Sequence, residues 1–316
     1  MKTLKTSINK KNFLSFNDLN REEILSILEL SKDLKRDLKI GKSSQLLKGR
    51  TLAMIFQKPS TRTRLSFETG IVQLGGTAIY LSSNDLQLAR GESVEDTART
   101  LSLYVDLIMA RVYSHSDIEK LAAYSSVPVI NGLSDTFHPC QILADLLTIQ
   151  EKKNTFNGLK VAWIGEGNNV CNDLVLGCSK IGINLSIACP SGFEPNENVL
   201  NVARQEASKS STEISITDDP LIAVQNADVL ATDTFISIGK DEERQQREEI
   251  FLPRYQINSN LLSSAKQDCI FMHCLPATRG REVTSEVIDG KASVVWDQAE
   301  NRLHVQKALM CMLPLR

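Results

Sequence analysis

Five consecutive side chains, Ser60-Thr61-Arg62-Thr63-Arg64, carry three hydroxyls and two guanidinium groups, directly after a proline and an apolar run. Hydroxyls can donate to an oxyanion, and a guanidinium is a planar fork that matches phosphate oxygens. Pro59 fixes the turn and Ser60 stands where a helix would begin, so unpaired backbone N–H groups add to the donors. Arg64 lies roughly 200° around such a helix from Arg62, so the two forks do not converge on one atom. The stretch is either an anion site or an N-capped helix with exposed arginines.

Three further groupings have chemical potential. His138-Pro139-Cys140-Gln141 precedes a helical run, and Arg111 ends an apolar one. A lone histidine in such a place often only caps a turn. Combined with Arg111 and the hydroxyl run, it would bind a phosphate and polarise an adjacent carbonyl. GEGNNV (165–170) has two glycines after a strand, but Val170 replaces the third glycine of a dinucleotide fingerprint. The next strand ends in IACPSG without an acidic residue for a ribose, so NAD is not expected. The two asparagines there suit the carboxylate or amine of a zwitterion instead. His273-Cys274-Leu275-Pro276 lacks a second thiol or imidazole at zinc-ligand spacing, so no metal is expected. Adjacent strand residues face opposite sides, which argues against a Cys-His nucleophile. Cys274 is then either a buried small residue or a thiol lining a pocket.

The elements that must position these residues are short apolar runs alternating with longer helical patterns. Strands are expected at Thr51–Phe56, Thr77–Leu81, Asp106–Ala110, Pro128–Asn131, Lys160–Gly165, Asn184–Cys189, Glu213–Thr217, Asp228–Asp233, Cys269–Cys274 and Ser293–Trp296. Helices are expected at Arg62–Leu74, Ser116–Tyr124, Asp173–Lys180, Glu197–Ser208 and Gln298–Met312. This alternation predicts an α/β fold of parallel sheets covered by helices on both faces. Ligands of such sheets bind beyond the C-terminal strand ends, where the polar clusters gather. The charged segment 237–256 follows a strand directly; it is either a loop that closes over the site or a solvated insertion.

At 316 residues the chain exceeds one ordinary core, and two domains are expected with a join near 152–160. A net charge of −2 without a basic block gives nucleic-acid binding little support. No apolar run reaches the roughly 18–20 residues that would cross a bilayer. Seven scattered cysteines without a CxxC pair read as reduced thiols in a cytoplasmic compartment.

In this order, FQKPSTRTRLSFE, QLARGESVEDTAR, FHPCQILADLLT, GEGNNV, DTFISIG, HCLPATRGREV and DQAENRLHVQKAL resemble the aspartate/ornithine transcarbamoylase family, in its ornithine-using branch. The resemblance implies two doubly wound domains with parallel central sheets and the active site in the interdomain cleft. Residues 1–150 would bind carbamoyl phosphate, with the C-terminal helix (about 298–316) packed back on them, and residues 151–297 would bind ornithine. Ser60, Thr61, Arg62, Thr63, Arg111, His138, Gln141 and Arg302 are implied contacts of carbamoyl phosphate. Gln87 is implied to be lent by a neighbouring subunit of a homotrimer. Asn169, Asp233, Ser237 and Ile238 are implied ornithine contacts, and Cys274 and Leu275 lie at the junction of both ligands. Arg111, His138, Cys274 and Asp233 would carry the catalysis, and no cofactor is implied.

The family loop reads Ser-Met-Gly where this chain has Ser237-Ile238-Gly239, a stiffer side chain at the substrate's methylenes. The implied reaction transfers a carbamoyl group to the δ-amine of ornithine, giving citrulline and phosphate. Putrescine or an acylated ornithine is the nearest alternative acceptor, and a non-catalytic binding protein the alternative of another class.

Overall fold

The structure is a computed structural model and describes residues 8–83, 86–236 and 240–315. The chain divides into two compact units, Met1–Ala144 with Glu300–Arg316, and Asp145–Ala299.

The first unit opens with α1 (Arg21–Lys39) and holds strands β1 (Thr51–Phe56), β2 (Thr77–Ser82), β3 (Leu107–Arg111) and β4 (Val129–Leu133). All pair in parallel, in the order β2-β1-β3-β4. Runs such as TLAMIF are apolar at consecutive positions because helices cover both faces of a parallel sheet. Helices α2 (Thr61–Gln73), α3 (Val94–Leu101), α4 (His115–Tyr124) and α5 (Pro139–Lys153) follow the strands in turn. The sheet is doubly wound, and its strand order reverses between β1 and β3. There Phe56 lies beside Arg111, so the Pro59–Arg64 stretch and Arg111 leave the sheet at adjacent points.

The second unit repeats the plan. Strands β5 (Lys160–Ile164), β6 (Asn184–Ala188), β7 (Ile214–Thr217), β8 (Val229–Thr232) and β9 (Ile270–His273) form a parallel sheet in the order β7-β6-β5-β8-β9. Its helices are α6 (Asn169–Ile181), α7 (Glu197–Ser210), α8 (Pro220–Val224), α9 (Arg244–Phe251), α10 (Ser259–Ser263) and α11 (Ser285–Ile288). The order reverses between β5 and β8, which sets the GEGNNV turn beside Asp233; Thr232 in turn pairs with His273 on β9.

The expected strand at Ser293–Trp296 does not form. Ser293 makes an isolated bridge to Phe271, and α12 (Val295–Met312) begins within the same apolar run. So short a run fits a strand end and a first helical turn equally well, and here the helix takes its last two residues. The chain passes between units inside α5 and inside α12, not after them. From Glu300 onward α12 belongs to the first unit, where Lys35 Nζ donates to Asn301 Oδ1 (2.7 Å). No described helix is long and apolar enough to cross a membrane.

Candidate functional site

In the first unit Ser60 is the N-cap of α2, its Oγ accepting from Thr63 N (3.3 Å). The cap turns the next three residues into the helix with different orientations: Thr61 is exposed, Arg62 half-buried and Thr63 buried. Thr63 enters a buried polar cluster organised by Arg302. The guanidinium donates from Nη2 to Thr63 Oγ1 (3.0 Å) and from Nη1 to Gln141 Oε1 (2.8 Å). Its Nη1 also lies 3.3 Å from His138 Nε2. Helix α5 starts with Pro139, at a position that needs no N–H, and Gln141 N donates to His138 O (3.0 Å) across its first turn, so both side chains reach Arg302 Nη1.

The same contact decides the histidine tautomer. Arginine can only donate, so His138 Nε2 accepts and the hydrogen sits on Nδ1. Nδ1 is buried and has no hydrogen-bond partner among the described residues. Burial holds the imidazole pKa well below the usual histidine value, and the charges of Arg302, Arg111 and Arg62 add to the shift. The site therefore offers a neutral imidazole N–H that feels the charge of three guanidinium groups, with no acceptor for its hydrogen among the described residues. That is the equipment for an anion whose neighbouring carbonyl oxygen gains charge.

Arg64 goes elsewhere. Its guanidinium sits 3.9 Å over the Tyr80 ring and bonds Glu68 at 3.1 Å, in a groove of about 660 Å³ that reaches back to Ser60 and Thr61. Gln87 is exposed on a short 3-10 turn, Gln87–Arg90, away from the Arg302 cluster's hydrogen bonds.

In the second unit Asp233, just past β8, links two neighbours. Its Oδ2 accepts from Asn168 Nδ2 (2.9 Å), and its Oδ1 accepts from the Cys274 thiol (3.1 Å). Asn168 is also the N-cap of α6, with Oδ1 accepting from Val170 N and Cys171 N. Asn169 is buried at the first position of that helix. Gly167 is where it is because a Cβ there would stand 2.1 Å from Pro195 N; the glycine clears a chain crossing and does not cradle a pyrophosphate. Ser237 and Ile238 lie outside the described residues.

Asp233, His273 and Cys274 each offer an atom within 4.8 Å of the others. The expectation that His273 and Cys274 point apart does not hold, since β9 ends at His273 and Cys274 is already in the turn. The imidazole is nevertheless engaged at both nitrogens: Nδ1 accepts from Leu275 N (2.8 Å) and Nε2 faces Glu282 Oε1 (3.3 Å). None of the seven cysteines is in a disulfide, and Cys274 is the one that is not buried.

Residues 11–151 match the carbamoyl-P binding domain of aspartate/ornithine carbamoyltransferase, and residues 157–313 match its Asp/Orn binding domain. An ornithine carbamoyltransferase of Carboxydothermus hydrogenoformans is 55% identical over 96% of this chain and 97% of its own. The chain belongs to the aspartate/ornithine carbamoyltransferase family. Its fold matches the ornithine carbamoyltransferase of Pyrococcus furiosus with a TM-score of 0.94 at 54% identity, over 98% of each chain. The anabolic enzyme of Campylobacter jejuni matches with a TM-score of 0.91 at 42% identity, over 96% of this chain and 99% of that one.

Two residues to which no individual role was given, Asn168 and Glu282, hydrogen-bond the side chains of Asp233 and His273. Asn168 carried a readable signal, an asparagine before the first periodic residues of a helix. Glu282 carried none, since a glutamate among ATRGREV looks like any surface charge.

Proposed function

We propose that the protein is an ornithine carbamoyltransferase, which moves the carbamoyl group of carbamoyl phosphate to the δ-amine of L-ornithine and releases citrulline and phosphate. The observation that carries this reading is the buried Arg302 cluster with its unmatched His138 Nδ1–H. Relatives bearing that name over nearly the whole chain support it.

Arg62 and the N-terminus of α2, with Ser60, Thr61 and Thr63, hold the phosphate. Gln141 and Arg302 fix the geometry, and His138 Nδ1–H with Arg111 takes the carbonyl oxygen. The neutral δ-amine attacks the carbonyl carbon, the C–O bond to phosphate breaks, and the amine proton passes to the departing phosphate. Donors aimed at the oxygen gain most as it becomes an oxyanion, which lowers the barrier more than it tightens ground-state binding. The leaving group already carries the activation, so no cofactor enters.

Asp233 and Cys274 orient the amine, while Asn169 and the 237–239 segment read the α-amino acid end. Leu275 contributes its backbone at the meeting point of both ligands. The amine's own proton is the larger obstacle. At a lysine-like pKa of about 10.4, only about one molecule in 10³ is neutral at pH 7, a handicap of roughly 4–5 kcal/mol.

The protein works as a homotrimer in the cytoplasm, with Gln87 of one copy lent to its neighbour's site. Exposed Gln87 and the groove reaching Ser60 and Thr61 favour this assembly, and a full set of cysteines without a disulfide favours the compartment. Two relatives named anabolic favour the citrulline-forming direction.

The test is a colour assay for carbamoylated product with ornithine, putrescine, N-acetylornithine and aspartate in parallel. Ornithine should exceed the others by about 10²-fold or more in kcat/KM, because recognising groups left unpaired by an incomplete substrate are costly. Comparable turnover of putrescine would move the assignment to another acceptor, and no product with any amine would leave a binding protein.

A further inference from the structure

We propose that the buried pair His273–Glu282 is a positioning device for the transfer reaction: it holds the turn that presents the Cys274 thiol and the Leu275 backbone, without itself touching substrate. The inference rests on the ornithine carbamoyltransferase reading.

Both side chains are 1% exposed. A carboxylate taken out of water is destabilising unless hydrogen bonds replace its hydration, so a site that needed only packing would be better filled by apolar residues. The hydrogen bonds of Glu282 show what it is used for. Its Oε1 accepts from His273 Nε2 and from Thr278 N, tying the two ends of the 273–278 turn to one oxygen. His273 passes the restraint inward, since its Nδ1 accepts from Leu275 N. Because Nδ1 accepts, the ring hydrogen sits on Nε2 and is directed at the carboxylate.

Leu275 needs such a hold. Its φ of +59° is in the left-handed region, which a residue with a Cβ rarely adopts and which persists only when its surroundings impose it. On the other side the His273 backbone is fixed by N–H donation to Gln298 Oε1 (3.0 Å), and Gln298 donates to Asp145 Oδ1 (2.7 Å). The Glu282 backbone is fixed by accepting from Ile257 N (2.9 Å). Cys274 is the residue between these anchors, and its thiol reaches Asp233. A metal at His273 Nδ1 would take the acceptor that Leu275 N–H uses, so the near-cluster of Asp233, His273 and Cys274 is explained by the turn.

The test is steady-state kinetics of Glu282→Gln, His273→Asn and the double variant, beside thermal unfolding of each. Glu282→Gln keeps the shape and weakens the charge-assisted bonds; His273→Asn keeps an acceptor near Leu275 N–H but cannot reach Glu282. Each single variant should lose about 10–100-fold in kcat with ornithine, while KM for carbamoyl phosphate stays within about two-fold. The double variant should lose little beyond either single one, because both cut the same strut. Glu282→Asp, which keeps the charge and shortens the reach, replaces Glu282→Gln if the latter does not fold, with the same loss expected.

A fall in unfolding temperature with unchanged kcat would mean a purely structural pair and would overturn the proposal. So would losses that multiply in the double variant. If the unaltered protein makes no citrulline from ornithine, the activity reading itself fails; active protein with unaffected variants sinks the positioning role alone.

Discussion

The hydrogen on His138 is placed by Arg302 before any ligand arrives, and its neutrality is placed by burial. Two consequences follow at this scale. The first concerns stability. The native pKa is held below the ordinary value of about 6.5, so as pH falls through that value the unfolded chain takes up a proton that the native state refuses. His138 therefore subtracts stability below about pH 6.5, by up to roughly 1.4 kcal/mol per pH unit, and subtracts nothing above it. Urea unfolding at pH 5.5 and 7.5 should show a smaller acid penalty in His138→Asn than in the unaltered protein; an equal penalty would contradict the buried neutral ring. The second concerns rate. An imidazole that is already neutral adds no inflection, so kcat should climb from pH 7 toward pH 9 with the fraction of neutral amine. A histidine-like step near pH 6.5, with the profile extended down to pH 5.5, would contradict the lowered pKa of the buried ring.

The strands were readable because a strand buried on both faces is apolar at consecutive positions, and the run TLAMIF meets that condition from Leu52 to Phe56. The Ser60 cap was readable for a similar local reason, a hydroxyl following a proline at the head of a helical pattern. Ser293–Trp296 was not, since nothing within so short a run separates a last strand residue from a first helical turn. His273–Glu282 was invisible for a different reason: an irregular turn, not a periodic element, brings the residues together. Helix α2 leaves one feature that packing within the chain does not explain. Leu65 and Val72 are 56% and 59% exposed along the groove shared with Tyr80. In the proposed homotrimer, this is the face expected to meet a second copy. Sedimentation equilibrium should give three times the 35.1 kDa chain mass, and Leu65→Glu with Val72→Glu should lower it. An unaltered mass in the double variant would move the contact to another face.

Across the molecule, each unit is a doubly wound sheet whose strand order reverses once, and the candidate residues gather at each reversal. Phe56 beside Arg111 marks it in one unit, and the neighbouring ends of β5 and β8 mark it in the other. Motif types located these points in the sequence, because polar clusters follow apolar runs at the same end of each strand. The hydrogen bonds that choose Asn168 and Glu282 among similar residues depend on distances that only folding fixes. Direct transfer makes one bond and breaks one at the carbamoyl carbon, without water taking part. Running the reaction in H₂¹⁸O and weighing both products by mass spectrometry tests this directly. Citrulline and an equal amount of phosphate should both be free of ¹⁸O. Label in the citrulline, or in the phosphate formed with it, would show that water opens the carbamoyl phosphate first and would contradict direct transfer.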